Sequence, residues 1–438
     1  MSSCQETALR YYIETLGCPK NQVDSDKLAG LLEGQGYQPA SDPTGADLVV
    51  ANTCAFIEAA REESVATVLD LAQRRAPGAR LVVTGCMAER YGDELADALP
   101  EADVVAGFGH EFASVTPVRV RRGPRSDFDL LNLPRPPAAA PWAYLKIAEG
   151  CDRRCGFCAI PSFRGDQRSR TAAAVLEEAR ALAASGVREL VLVAQDLASW
   201  GLDRRRRRDG LDVVEPLEDG TAQPLVRLVE QLARQVDRVR LLYLYPSSLT
   251  PQLIDAIVAT GVTYFDLSLQ HVTRAHLRRM SRWGDADRFL ERITRIRALA
   301  PDATFRSSFI LGYPGETEDD HRQLLAFLEE AQLDWAGFFP FSPEEGTPAA
   351  AALDPVGPEL ALDRLREASE LQDVITARRR DALVGTIQRV LVDRPGVARS
   401  VRECPEIDGI VEVSRQWEVG SMVDVRIVAS HGVDVVAR

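Results

Sequence analysis

The stretch AYLKIAEGCDRRCGFC, residues 143–158, decides how the chain folds and what it holds. It joins a short apolar run, of the kind that forms a buried parallel strand, to three cysteines in the spacing CxxxCxxC. Cys151, Cys155 and Cys158 are close enough in sequence for their thiolates to converge on one soft metal centre. A four-iron cluster takes four ligands, so three protein thiolates leave one iron open to a small molecule, much as an open zinc position is left to substrate. A structural zinc would want a fourth Cys or His nearby, and none occurs between Gly150 and Gln195.

Downstream of this loop the same alternation repeats. RELVLVAQD (188–196), RVRLLYLYP (238–246), YFDLSLQ (264–270), TFRSSFILG (304–312) and WAGFFPFS (335–342) read as further strands. The intervening stretches read as helices; in 172–185, Val175, Leu176, Ala179, Leu182 and Ala183 share one face. Six βα units predict a parallel sheet curved into a partial (β/α)6 barrel, although an open doubly wound sheet has the same sequence pattern. Either architecture puts the site at the carboxyl ends of the strands. The segment 204–223 carries the arginine run Arg204 to Arg208, an acidic tail and no periodicity, and reads as an inserted surface loop. From Gly385 onward the short, β-branched runs TIQRVLVD, DGIVEVS and SMVDVRIVASHGVDVVAR predict a small antiparallel barrel.

Upstream, an apolar run, a cysteine and a helical stretch occur three times: YYIETLGC ends at Cys18, LVVANTC at Cys54 and LVVTGC at Cys86. The intervals approach the thirty-odd residues of a βαβ repeat, with Ser25 to Gly34 and Glu62 to Arg74 as helices. Any one of these cysteines alone would read as a small buried hydrophobe. Together they recur at equivalent strand ends, where ligands of open α/β sheets bind, and so predict a second three-thiolate site. Cys4 and Cys404 have no cysteine at ligand spacing and read as non-functional, while His271 and His276 lack ligand company and read as structural.

The fold class expected is α/β, in three domains and a linker: a parallel-sheet domain over 10–117, a Pro- and Arg-rich linker over 118–140, the partial barrel over 141–372 and the all-β barrel over 373–438. The 438 residues suit two or three domains. Eight cysteines are too sparse for a disulfide-stapled secreted scaffold. No apolar run reaches the roughly 18 residues of a membrane span, and the first twelve residues lack a secretory layout. A cytoplasmic protein without membrane contact is expected. Its 52 Lys+Arg against 65 Asp+Glu give a net charge of −13, which suits a basic partner better than a polyanion.

TLGCPKN (15–21), ANTCAFIEAAREES (51–64), TGC (84–86), EGCDRRCGFCAIPSFRG (149–165), QRSR (167–170), SLQH (268–271) and ILGYPGET (310–317) resemble the radical S-adenosylmethionine (SAM) methylthiotransferases, with a C-terminal barrel of the TRAM type. CPKN, PSFRG, VAQDLASWG (193–201) and SPEEGTPAA (342–350) are similar to the branch acting on the β-carbon of an aspartate in small-subunit ribosomal protein twelve. The resemblance implies two [4Fe-4S] clusters and SAM. The cluster on Cys151, Cys155 and Cys158 would cleave SAM to a 5′-deoxyadenosyl radical, and that on Cys18, Cys54 and Cys86 would hold or supply sulfur, the two facing each other across a domain interface. SAM would also be the methyl donor. An electron donor of flavodoxin or ferredoxin type and a sulfur donor are implied without being identified.

For SAM contacts the candidates are Phe157, Gln195, Gln270, Arg306, Gly312 and Gly315. Each has a second reading. Gly312 and Gly315 read on their own as turn residues, the resemblance supplying most of the case for SAM, Arg306, Gln270, Gln195 and Asp196 as structural hydrogen-bonding groups, and Phe157 as packing for its own loop. The five arginines from Arg204 either touch ribosomal RNA or are simply solvated. A tRNA methylthiotransferase acting on a modified adenosine would carry the same clusters. Against it, the last 58 residues hold seven arginines against nine carboxylates, a poor phosphate grip. A non-catalytic iron–sulfur carrier or sensor is the alternative of another class, and it gives no purpose to the SAM-type loop and six-unit barrel.

Overall fold

A computed structural model describes residues 8–108, 130–203 and 224–438. The insertion over 204–223, most of the linker expected at 118–140, and Cys4 lie outside the described residues. The chain divides into two compact units, one made of residues up to Pro136 with Glu149–Asp152 and Ala159–Gln167, the other of Pro137–Ala148, Arg153–Cys158 and Arg168–Arg438.

In the first unit, β1 (Arg10–Thr15), β2 (Gln38–Pro39), β3 (Leu48–Thr53), β4 (Arg80–Gly85) and β5 (Val104–Val105) form a parallel sheet in the order β2-β1-β3-β4-β5. Alternate residues of a strand face opposite sides, and both sides are apolar here. Val49, Ala51, Leu81 and Val83 pack with Val68 and Leu71 of α2 (Glu58–Arg74). Leu48, Val50 and Val82 pack with Leu28 and Leu32 of α1 (Pro19–Gly34) on the other side. The sheet is therefore doubly wound, and its order reverses between β1 and β3. In such sheets the reversal opens a crevice beyond the carboxyl ends of the two strands. Cys18 and Cys54 follow those strands, and Cys86 opens α3 (Cys86–Tyr91) directly after β4. After α4 (Asp93–Ala98) comes β5, and the later piece of the unit carries the short helix α5 (Ile160–Arg164).

The second unit contains β6 (Trp142–Lys146), the short strands β7 (Ala148–Glu149, of which only Ala148 belongs here) and β8 (Arg168–Ser169), then β9 (Glu189–Val193), β10 (Arg238–Leu244), β11 (Tyr264–Gln270), β12 (Thr304–Leu311) and β13 (Trp335–Pro340). Six of them form a parallel sheet in the order β13-β12-β11-β10-β9-β6. Apart from β7 and β8 the order follows the chain without reversal, and right-handed crossovers then leave the helices on one face. This selects the partial barrel over the doubly wound alternative. Its helices are α6 (Ala172–Ala184) and those at Pro224–Leu232, Pro251–Ala259, Ala286–Leu299, Glu318–Ala331 and Pro358–Asp381. Side chains placed one residue ahead start four of them: Thr171, Thr250, Asp285 and Thr317 accept N–H bonds from the first turn. The last helix runs beyond residue 372 into the terminal region.

The terminal strands β14 (Ile387–Arg394), β15 (Val397–Arg399), β16 (Val411–Glu412), β17 (Met422–His431) and β18 (Asp434–Ala437) close a barrel around Val390, Val392, Val411, Val425, Ile427 and Val435. Its loop 400–408 meets the amino ends of the larger sheet. Glu189, the first residue of β9, accepts from Arg240 at 2.9 Å and from Arg399 at 2.9 Å, all three buried. Tyr144 donates to Pro405 O at 3.1 Å, and Trp335 Nε1 donates to Arg402 O at 2.8 Å. Arg306 also belongs to this interface, bonding Asp408 at 2.7 Å. It stands near the start of β12, and this ion pair is the structural role given as its second reading. Cys404 is fully buried in the same loop, where burial pushes its thiol up. No helix among the described residues is long and apolar enough to cross a membrane.

Candidate active site

Cys18, Cys54 and Cys86 of the first unit sit near one another, with glycines making two of the turns. Gly17 and Gly85 precede Cys18 and Cys86 with φ of +91° and +93°, a left-handed region that side chains rarely enter. Each glycine is also pressed against its neighbours. A Cβ at Gly85 would lie 2.5 Å from Thr53 O, and one at Gly17 would collide with Cys54. Asn21, fully buried in the first turn of α1, ties the strand ends together by donating to Leu16 O at 2.8 Å and Thr53 O at 3.1 Å. Ser64 of α2 accepts from Cys54 N at 3.1 Å and donates to Ala60 O at 2.7 Å.

Arg164 completes this pocket. It is buried, and its Nε and Nη2 donate to Cys86 Sγ at 3.3 and 3.0 Å. Nη1 reaches both Glu149 oxygens at 2.9 Å and Asp24 at 3.2 Å, and Nη2 donates to Asn21 Oδ1 at 2.6 Å. The guanidinium lies 4.4 Å from the ring centroid of Phe108. Burial pushes the Cys54 thiol up to about 12, with the nearby Cys86 and Cys18 adding to the rise. Burial also raises Cys86 against the pull of Arg164. Cys18 is lowered instead; burial opposes this, but Lys20, Arg164 and the backbone N–H groups of Asn21 and Lys20 outweigh it. Among the described residues no three metal-ligating side chains converge tightly enough for one ion. Three thiols at neighbouring strand ends are soft donors of the kind that iron–sulfur clusters take.

The CxxxCxxC loop begins with a third glycine–cysteine pair. Gly150 has φ of +76°, a Cβ there would lie 2.2 Å from Asp166 O, and Cys151 N donates to Gly165 O at 3.0 Å. In the second unit, Gly156 N donates to Met280 O at 2.8 Å and its carbonyl accepts from Ala349 N at 2.9 Å. Cys158 N donates to Cys155 O at 3.1 Å, and Arg282 Nη1 lies 3.5 Å from Cys155 Sγ. Tyr245 is flanked by Arg153 at 4.0 Å and Arg282 at 3.9 Å from its ring centroid. Arg153 in turn bonds Asp196 at 2.8 Å and Ser248 at 2.8 Å, which gives Asp196 a structural partner. Phe157 packs partly buried against the core.

The other SAM candidates lie at strand ends. Gln195 follows β9, and Gln270 ends β11 with φ of +71°, a conformation that is strained for a non-glycine residue and typical of functional positions. Gly312 and Gly315 follow β12, both left-handed, and the Gly312 N–H donates to the Glu316 carboxylate. Burial pushes Glu316 up to about 7. His271 and His276 are buried with rings 4.5 Å apart, and burial pushes them down to about 3 and 4. The sequence did not single out Arg164, Asn21, Arg153, Arg282 or Tyr245. Arg164 and Asn21 stand inside the quoted PSFRG and CPKN stretches, which is the one signal that could have found them.

Three stretches of the chain match known families. Residues 10–107 match the uncharacterized protein family UPF0004, 145–328 the radical SAM superfamily and 384–438 the TRAM domain. The chain is 15% identical to the radical SAM methyltransferase TsrM from Kitasatospora setae, with a TM-score of 0.50 over 84% of this chain and 89% of that one. A partial barrel with this loop defines a radical-SAM enzyme, whose cofactors are an iron–sulfur cluster and SAM. Ribosomal protein uS12 methylthiotransferase RimO of Moorella thermoacetica is 42% identical over 96% of both chains, and that of Saccharopolyspora erythraea 41% identical over 100% of this chain and 96% of its own. The chain belongs to the RimO family of radical-SAM methylthiotransferases.

Proposed function

We propose that the protein methylthiolates the β-carbon of an aspartate in ribosomal protein uS12, using two clusters with separate ligand sets. The observation that carries the two-site reading is the gathering of Cys18, Cys54 and Cys86 at the strand ends beside the sheet's reversal. When bound, the clusters and SAM supply the radical, the sulfur and the methyl group. Cys151, Cys155 and Cys158 hold one cluster, and Gly156, locked by its backbone bonds to Met280 and Ala349, fixes the loop that carries it. Phe157, Gln195, Gln270, Gly312 and Gly315 border SAM, with the two glycines letting backbone approach it. Cys18, Cys54 and Cys86 hold the second cluster, in a pocket where Asn21 and Ser64 take up the backbone polar groups beside the thiols.

The net charge of −13 favours the basic ribosomal protein as acceptor over a nucleic acid. The protein works in the cytoplasm, receives electrons from a flavodoxin- or ferredoxin-like donor, and touches ribosomal RNA at most through the arginines from Arg204. Intact-mass measurement of uS12 from cells with and without this gene tests the reading. A methylthio increment that requires the gene supports it, and an unmodified uS12 in both strains overturns it.

A further inference from the structure

Arg164 stands out because its surroundings exceed what a structural ion pair needs. Glu149 and Asp24 already satisfy Nη1, yet the other edge of the fork, Nε and Nη2, is turned onto Cys86 Sγ at 3.3 and 3.0 Å. Asn21 Oδ1 and the face of Phe108 hold the plane in that orientation. The guanidinium is buried, so solvent does not screen its charge from the sulfur. A cluster becomes more negative on reduction. Hydrogen bonds to its sulfurs and fixed cations beside it therefore stabilise the reduced form, and an arginine stays charged throughout.

We propose that Arg164 is a positioning residue that orients Cys86 and raises the reduction potential of the cluster held by Cys18, Cys54 and Cys86. This rests on those three thiols being cluster ligands. Asp24, buried on the far side of the same guanidinium, opposes it and sets the potential back.

The test uses the full chain with Cys151, Cys155 and Cys158 all changed to Ala, reconstituted with iron and sulfide and titrated with dithionite under EPR. In that background Arg164→Gln is expected to shift the potential down, Asp24→Asn to shift it up, and Arg164→Lys to restore part of the loss seen with Gln. A purely structural role would not give opposite signs. Should Arg164→Gln fail to hold a cluster, Arg164→Lys against Asp24→Asn carries the same comparison. A loaded cluster whose potential is unchanged, or moves one way in both charge variants, overturns the proposal alone. A parent that binds no iron overturns the ligand reading and the proposal with it.

Discussion

Gly17 and Cys54 touch so closely that a Cβ on the glycine would stand 2.7 Å from the cysteine Cβ and 2.8 Å from its Sγ. The glycine also has φ of +91°. Two penalties therefore fall on Gly17→Ala: about 1–2 kcal/mol for the left-handed backbone and about 1–3 kcal/mol for overpacking. Relief of the clash pushes Cys54 away from Cys18. Chemical denaturation should show the lost stability, and reconstituted protein should carry about half the iron of the parent under the two-cluster reading.

Single ligand variants separate the two sites. Cys155→Ala should abolish reductive formation of 5′-deoxyadenosine while iron falls by about half. Cys54→Ala should lose a similar share of iron yet still cleave SAM, with no methylthio product. Anaerobic product analysis by mass spectrometry reads both, and an unchanged iron content in either variant removes that cysteine from the ligand set.

The anchorage of the terminal barrel depends on a buried carboxylate. Burial alone would raise Glu189, but Arg399 and Arg240 outweigh it and hold the group at about 2, below its ordinary 4.5. Its contribution is thus fully present above pH 4.5 and is lost as pH falls through about 2. Glu189→Gln leaves buried arginines without their counter-charge, and a loss of about 3–5 kcal/mol is expected at neutral pH. Denaturant melts of the parent and variant measure it.

Glu316 has the opposite sign. Burial lifts its pKa from 4.5 to about 7, even though the Gly312 N–H and Arg364 favour the charged form. The folded state then holds a proton that the unfolded state has released, so stability falls as pH rises from 4.5 to about 7. Roughly 3 kcal/mol is at stake. Glu316→Gln keeps an acceptor for Gly312 without titrating, and should flatten this part of the stability profile in urea melts taken across the range.

Much of the architecture was legible because its signals are local. Residues 189–193, ELVLV, are buried throughout and read as a parallel strand on composition alone. Thr171, Thr250, Asp285 and Thr317 mark helix starts one residue ahead. The cysteines follow strands at repeat spacing. By contrast, β2 and β5 are two residues long and have no period to detect. Strand order is a long-range property, so the alternation of elements predicted the partial barrel while leaving the doubly wound sheet as an alternative. Arg306 took its place from Asp408, 102 residues away. Arg164 was hidden for the same reason: in sequence an arginine reads as a surface charge, and only the fold brings Asp24, Glu149 and Cys86 around it.

The clamp of loop 400–408 on the strand starts has a mechanical corollary. Arg306 to Asp408, Arg399 to Glu189 and Trp335 to the Arg402 carbonyl are spread along the strand starts, so the terminal barrel is held to the sheet at several points rather than at one. Between that attachment and the opposite rim, where the strands end, lies one strand length, so the separation of the two is set by how many residues each strand contains.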